Sequence, residues 1–191
     1  IYTDRASNAM PSITGGRQRF TASQQAFVEQ VAPYAVEVGQ KDGILPSIIV
    51  AQAILESGWG RSSPGNNLFG VKAGSSWKGK VDVQPTWEMD GKGNVIRTQA
   101  AFRAYGSTTE ALSDHTKLLK NKRYDSVRNA TNYRDAATAL QKSGYATDEQ
   151  YANKLSNIIE TSGLDSLDRV EITQQTEPPQ ETKQWAEENR A

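Results

Sequence analysis

Residues 45–60, Leu45-Pro46-Ser47-Ile48-Ile49-Val50-Ala51-Gln52-Ala53-Ile54-Leu55-Glu56-Ser57-Gly58-Trp59-Gly60, decide the fold. Pro46 stands where the first turn of a helix tolerates a residue without an N–H. Ile48, Ile49, Val50, Ala51, Ala53, Ile54 and Leu55 leave almost no polar face, and a helix apolar nearly all round is a buried one. Gln52 and Glu56 are its polar exceptions, four residues apart and therefore on one side. Gly58 and Gly60 end the helix abruptly.

Outward from this helix the chain reads as mainly helical, with one β-hairpin inserted. Upstream, Thr21-x-x-Gln24 is a capping box, and Phe27, Val28, Val31 and Tyr34 follow at helical spacing. Pro33 is expected to bend that helix or end it early, and Gly43 to stop it. Downstream, Gly58, Gly60, Pro64, Gly65 and Gly70 mark a long turn region from Ser57 to Gly74. From Val81 the period changes to two: Val81, Val83, Pro85, Trp87 and Met89 alternate with Asp82, Gln84, Thr86, Glu88 and Asp90. The turn chemistry of Asp90-Gly91-Lys92-Gly93-Asn94 predicts a hairpin that returns through Val95 to Tyr105, with Glu88 close to its tip.

Helices then resume. Ser107-x-x-Glu110 predicts a start, with Ala111, Leu112, His115, Leu118 and Leu119 as the buried stripe. Tyr133 to Ser143 predicts another helix, with Gly144 as its left-handed cap. Thr147-x-x-Gln150 is expected to cap a last one, in which Tyr151, Leu155, Ile158 and Ile159 face inward. The fold class is α+β, mainly α. The expected division is 1–19 as a tag or disordered segment, 20–164 as the domain and 165–191 as a polar linker or tail. Ser7-Asn8-Ala9-Met10 reads as a protease-cleavage scar followed by an initiator Met. The Gln-, Thr-, Glu- and Pro-rich stretch after Glu171 buries too little apolar area to offset its ordering entropy, whether or not Trp185 docks in a short helix.

Composition argues against several functions. Lys and Arg number 22 and Asp and Glu 22 in 191 residues, which gives none of the basic excess that nucleic-acid binding by counterion release requires. The chain has no cysteine, so thiolate nucleophiles, disulfides and Cys-type zinc sites are absent together. One histidine, His115, lies in an apolar helical stripe and reads as a core residue rather than a catalytic one. No apolar run reaches the roughly 20 residues of a spanning helix, and no export signal opens the chain. No cofactor or metal is expected; Asp82, Glu88 and Asp90 have a spacing too common on strands to argue for a cation.

Glu56 carries the chemistry. It is a carboxyl at the C-terminal end of a buried helix. Desolvation and the negative end of the helix dipole both disfavour its ionised form. A carboxyl with a raised pKa holds a proton near neutral pH, which is what a general acid needs. The bland alternative is a solvated Glu idling at a helix end.

Four motifs in order carry a resemblance: Ala53-Ile54-Leu55-Glu56-Ser57-Gly58-Trp59-Gly60, Asn66-Asn67-Leu68-Phe69-Gly70-Val71-Lys72, Phe102-Arg103-Ala104-Tyr105 and Gly144-Tyr145-Ala146-Thr147-Asp148. Together they resemble glycoside hydrolase family 73, the peptidoglycan hydrolases that include FlgJ-type flagellar domains and the glucosaminidase domains of autolysins. The resemblance covers about residues 23–159. It implies a lysozyme-like helical domain whose small β-lobe flanks a cleft, an endo-β-N-acetylglucosaminidase activity on the β-1,4 bonds of peptidoglycan, and a periplasmic, extracellular or cell-wall location. It places the general acid on Glu56, a second carboxylate on Glu88 with Asp90 as competitor, and a functional tyrosine on Tyr145.

Asn67 and Phe69 are expected to organise the loop beside Glu56 and, with Tyr105, Trp59 and Trp87, form the set of candidate sugar contacts. The flat face of a tryptophan suits a pyranose, though packing is the plainer reading of Trp59, Trp77 and Trp87. Two rival functions stand against the hydrolase. One is a lytic transglycosylase or muramidase working with Glu56 alone, and the other is a binding module with a dead site.

Overall fold

The structure is a computed structural model, and it describes residues 20–170. The scar at 7–10 and the fate of Trp185 lie outside the described residues.

Helix α1 spans Ala22–Asp42 and starts as its capping box dictates. Thr21 Oγ1 accepts from Gln24 N at 3.3 Å, and Gln24 Oε1 accepts from Thr21 N at 2.9 Å. Such a cap stabilises a helix by about 1 kcal/mol. Pro33 does not end it. Val31, Ala32, Ala35 and Val36 are buried on either side, and that packing outweighs the lost N–H. Gly43 closes the helix in the left-handed region at φ 72°.

Helix α2, Pro46–Ser57, runs through the middle, with every residue from Pro46 to Ile54 buried. Its N-cap, Leu45, offers no side-chain acceptor. The acceptor comes instead from the far end of the domain: Ser47 N and Oγ donate to Asp168 Oδ1 and Oδ2 at 2.8 and 2.6 Å. Asp168 belongs to a 3-10 turn at Leu164–Arg169 whose Leu164 and Leu167 are both 0% exposed. This corrects the expected boundary at 164. Residues 165–170 are part of the packed domain, because two leucines three apart and one capping carboxylate suffice to dock so short a turn.

The other α-helices among the described residues are α3 (Thr108–Leu119), α4 (Asp125–Arg128), α5 (Tyr133–Lys142) and α6 (Tyr151–Ser162). In α3, Ser107 caps Glu110 N as expected, but the Glu110 carboxylate reaches past Ser107 to Gly106 N at 2.8 Å. Leu118, assigned to the buried stripe, is 43% exposed, and Thr116 is buried in its place. Helix α5 ends as expected, with Gly144 at φ 71°. Helix α6 begins at Tyr151 and not under a Thr147 cap. Asp148 Oδ1 accepts from Gln150 N at 2.9 Å, an Asx-type turn that takes the backbone before the helix can.

Strands β1 (Val81–Met89) and β2 (Val95–Arg103) form an antiparallel hairpin in register from Val81↔Arg103 to Met89↔Val95. Asp90 organises its loop, Oδ1 accepting from Lys92 N and Asn94 N. Residues 71–73 pair along the other side of β2, through Arg103 N to Val71 O and Ala73 N to Ala101 O. The base of the hairpin is tied to α3, where Asp114 Oδ2 accepts from both Arg103 and Tyr105 at 2.7 Å.

The hairpin inverts the usual rule of apolar in and polar out. Asp82, Gln84, Thr86 and Glu88 are partly covered, whereas Val83, Trp87 and Met89 stand 59%, 68% and 74% exposed.

Candidate active site

The site begins where α2 stops. Gly58 caps the helix in the left-handed region at φ 57°, and Trp59 and Gly60 follow at φ 63° and 77°. Three successive positive φ angles turn the chain sharply. At Trp59, a residue with a Cβ, this conformation is strained. Ser57 braces the turn, donating to Ala53 O at 2.5 Å and accepting from Gly60 N at 2.8 Å. Gly60 has no freedom to be larger: a Cβ there would stand 2.6 Å from the Phe27 ring.

This turn leaves Glu56 on the wall of a cleft of about 260 Å³. Ser62 and Asn67 of the following segment line it, as do Gln84, Pro85 and Phe102 of the hairpin. Solvent reaches Glu56 through this opening, so by accessible surface the residue is exposed, while protein packs densely around its other sides. The packing dominates its proton affinity. Lost hydration raises the carboxyl's pKa above its ordinary value, and a hydrogen bond from Tyr151 Oη to Oε1 at 3.0 Å, which favours the ionised form, opposes the rise.

Behind Glu56 lies a set of stacked rings. Tyr145 stacks on Tyr151 at 5.5 Å between centroids and meets the edge of His115 at 5.9 Å. Burial is the chief cause holding both phenols protonated, and the nearby Glu56 carboxylate adds to it. His115 is buried, stacks on Phe69 at 3.8 Å, and reaches Gln52 Oε1 with Nε2 at 2.9 Å. Gln52 Nε2 in turn donates to Tyr151 Oη at 3.1 Å.

Of the three candidate catalytic residues only Glu56 lines the cleft; Tyr145 lies behind it, stacked on the Tyr151 ring whose hydroxyl touches Glu56. Glu88 is not among the residues lining it. It lies on the same face of β1 as Gln84, about 13 Å further along by the rise of a strand. There its carboxylate is ion-paired with Lys72.

The candidate sugar contacts mostly serve the scaffold. Asn67 lines the cleft, but its amide is committed to the backbone: Nδ2 donates to Val71 O and Arg103 O, both at 2.9 Å, and Oδ1 accepts from Val71 N at 3.0 Å. The Phe69 ring is buried against His115, and Tyr105 is buried with its hydroxyl on Asp114, so neither presents a face to a sugar. Trp59 packs edge-on against Phe20 at 5.5 Å. Trp87 sits on the outward face of the hairpin, opposite in the pleat to Gln84 and Glu88. Trp77 lies under the Arg103 guanidinium at 4.7 Å. Each ring went where apolar area was best covered or where strand alternation pointed it, and neither is readable from residue type.

Two residues at the site escaped the sequence reading. Tyr151 reads as core by its spacing, yet its hydroxyl touches Glu56. Gln52 reads only as a polar exception, although its place one turn before Glu56 on the same face was a usable signal. Among the described residues no cluster of His, Asp or Glu has the arrangement of a metal site, and no helix is long and apolar enough to cross a membrane.

Comparison with known proteins gives the family. Residues 32–164 match the glucosaminidase family model, described as mannosyl-glycoprotein endo-beta-N-acetylglucosaminidase. The chain is 45% identical over 157 residues to the exo-glucosaminidase LytG of Bacillus subtilis, covering 77% of this chain and 54% of that protein. It is 44% identical over 144 residues to the peptidoglycan hydrolase FlgJ of Escherichia coli, covering 71% and 46%. It thus spans about half the length of these curated relatives. The crystal structure of the catalytic domain of the autolysin Auto from Listeria monocytogenes superposes with a TM-score of 0.69 at 35% identity, over 86% of this chain and 94% of that one. With more than half of its length inside the family model, and a lysozyme-like helical domain flanked by a small hairpin, the chain belongs to the glucosaminidase family, glycoside hydrolase family 73.

Proposed function

We propose that this domain, residues 20–170, hydrolyses β-1,4 glycosidic bonds in the glycan strands of peptidoglycan as an endo-β-N-acetylglucosaminidase, with Glu56 as its general acid. The observation that carries the reading is the placement of Glu56. A carboxyl with a raised pKa stands on the wall of an open cleft, held from behind by a tyrosine hydroxyl and opposed by a strand bearing a second carboxylate. Glu56 delivers its proton to the glycosidic oxygen as positive charge develops at the anomeric carbon. A site of this kind lies outside the cytoplasm, in the periplasm or the wall, and the greater length of the relatives fits a parent protein with further domains.

Glu88 supplies the second carboxylate. It acts by activating a water from the opposite face, by attacking directly, or by steadying an attack from the substrate's own N-acetyl group together with Tyr145. The first route needs carboxyls roughly 6.5–9.5 Å apart and the second roughly 5–5.5 Å. On this reading the hairpin closes toward α2, and Lys72 releases or accompanies Glu88.

A second reading, a lytic transglycosylase using Glu56 alone, is favoured by the position of Glu88 outside the cleft lining. Mass spectrometry of the fragments released from purified peptidoglycan decides. New reducing ends on N-acetylglucosamine support the proposal, reducing ends on N-acetylmuramic acid mean a muramidase, and anhydro-muramyl ends a transglycosylase. No release by a folded domain means a binding module. Shortening of strands from the interior rather than from one end supports the endo mode over the exo mode in LytG's name.

A further inference from the structure

Four side chains from three helices are joined in one line that runs from the core to the cleft: His115 of α3, Gln52 and Glu56 of α2, and Tyr151 of α6. The links are 2.9 Å from His115 Nε2 to Gln52 Oε1, 3.1 Å from Gln52 Nε2 to Tyr151 Oη, and 3.0 Å from Tyr151 Oη to Glu56 Oε1. Gln52 is fully buried, His115 is 1% and Tyr151 3% exposed, so the line is closed to solvent as far as Glu56, which opens onto the cleft.

The direction of the protons along this line is not free. A glutamine amide can be turned over, which would place its oxygen on Tyr151 and its NH2 on the imidazole. The tyrosine would then donate to Gln52 and have nothing to offer Glu56. The imidazole decides between the two. His115 Nδ1 is buried and has no hydrogen-bond partner. If Gln52 were turned over, Nε2 would have to accept and the neutral ring would carry its hydrogen on Nδ1, as a buried N–H with no acceptor. Orphaned buried donors are rarer and costlier than orphaned acceptors. The ring therefore carries its hydrogen on Nε2 and leaves a bare lone pair on Nδ1. His115 donates to Gln52, Gln52 to Tyr151, and Tyr151 to Glu56.

From this geometry we infer that Gln52 and His115 are positioning residues for the reaction. They fix Tyr151 as a donor to Glu56 Oε1, so that the transferable proton resides on Oε2. The inference rests on reading Glu56 as the general acid. Without the chain, Tyr151 Oη is equally able to accept a proton from Oε1, which would hide the acid's proton behind the cleft wall. With it, the same donors serve the protonated and the ionised carboxyl, and Glu56 discharges without rearrangement behind it. Aligned links of this kind also polarise one another, so a donor two residues away strengthens the last bond. The titratable groups facing Glu56 are Tyr151 and Tyr145, both held protonated. The charge nearest His115 is Asp114 on its own helix, itself paired with Arg103 of β2.

The test compares the wild type with Tyr151→Phe, Gln52→Met, His115→Phe and His115→Gln. The phenylalanine at 115 keeps a ring against Phe69 while removing the donor; the glutamine restores an N–H near the position of Nε2. Carbon-13 NMR titration of the Glu56 carboxyl reads the coupling without catalysis. The expected result is an upward shift in Tyr151→Phe, a smaller upward shift in Gln52→Met and His115→Phe, and a return toward wild type in His115→Gln. On soluble peptidoglycan fragments kcat falls about tenfold to a hundredfold with KM nearly unchanged. The alkaline limb of the pH–rate profile moves with the NMR value. A purely structural role would lower the folded fraction without moving either titration. Wild-type titration of Glu56 in folded Tyr151→Phe and Gln52→Met overturns the inference. If the titrations shift as expected while folded Glu56→Gln remains fully active, the chain stands and the general-acid reading falls.

Discussion

The carboxylate of Asp168 grips Ser47 with both oxygens, one on its backbone N–H and one on its hydroxyl. A residue near the end of the described chain thus caps the helix that carries Glu56 at its other end. Asp168→Ala should cost about 1–2 kcal/mol, in the range of a lost N-cap. Leu167→Ala, which opens a cavity beside it, should cost about 2–5 kcal/mol. Urea melts check both, and wild-type midpoints would mean that residues 165–170 contribute nothing to the domain.

Glu56→Gln keeps the acceptor for Tyr151 but removes the transferable proton. Turnover of wall fragments should fall at least about a hundredfold. Stability should move the other way. A carboxyl whose folded pKa is raised makes the native state less stable as pH climbs through that pKa, because the native form holds its proton longer than the unfolded chain does. The variant escapes that penalty. Its melting temperature should match or exceed wild type at pH 7, and the gain should vanish as pH falls toward 4. A gain that grows in acid would contradict the raised pKa.

Glu88 and Asp90 are separable by what holds them. The Asp90 carboxylate is engaged by the Asn94 side chain above all, then by Asn94 N and Lys92 N, which together keep its pKa low. Asn at 90 retains an acceptor for the turn, so Asp90→Asn should leave activity within about threefold. Glu88→Gln should lower kcat severely with KM little changed, the pattern of a contact made in the transition state. Steady-state kinetics on soluble fragments decide, and the reverse order would move the second carboxylate to Asp90.

His115 should make the domain acid-sensitive. Burial is the larger influence and lowers its pKa to about 3, partly offset by Asp114, whereas the unfolded chain takes up a proton near the ordinary histidine value of about 6.5. Between those limits the unfolded state binds more protons, so stability falls as pH drops from about 6.5 toward 3. His115→Gln should show a shallower fall over that window. Denaturant midpoints at pH 7, 5 and 4 compare the slopes; parallel slopes would show that His115 is not the titrating group.

Helix α2 and the hairpin were legible in the chain because their signals are local. An unbroken apolar run behind a proline, and strict alternation around Asp90-Gly91, need no tertiary partner to be read. The place of Glu56 at the end of α2 was legible for the same reason. The start of α6 was not, because Asp148 and Thr147 compete for one turn and only packing decides. The turn at 164–169 was too short for any period. Tyr151 shows how far spacing reaches. It places the ring inside, but whether the hydroxyl finds a carboxyl depends on a helix nearly a hundred residues away. Alternation likewise separated the two faces of β1 without saying which faces the protein. A two-stranded ribbon has no core of its own, and here its polar side borders a solvated cleft.

The hairpin wall of the cleft is attached chiefly through polar links at its base, where Gly65 O, Asn66 and Asn67 hold the backbone of Tyr105 and Arg103. One carboxylate, Asp114, receives both Arg103 and Tyr105, and residues 71–73 flank a single strand. A lone two-stranded ribbon is marginally stable in water, and a segment with few buried contacts opens at a lower free energy than the domain around it. Warming should therefore dismantle the cleft while the helices still report an intact protein. Because the hairpin should open first, the temperature limit of the cleft should lie in these attachments rather than in the helical core.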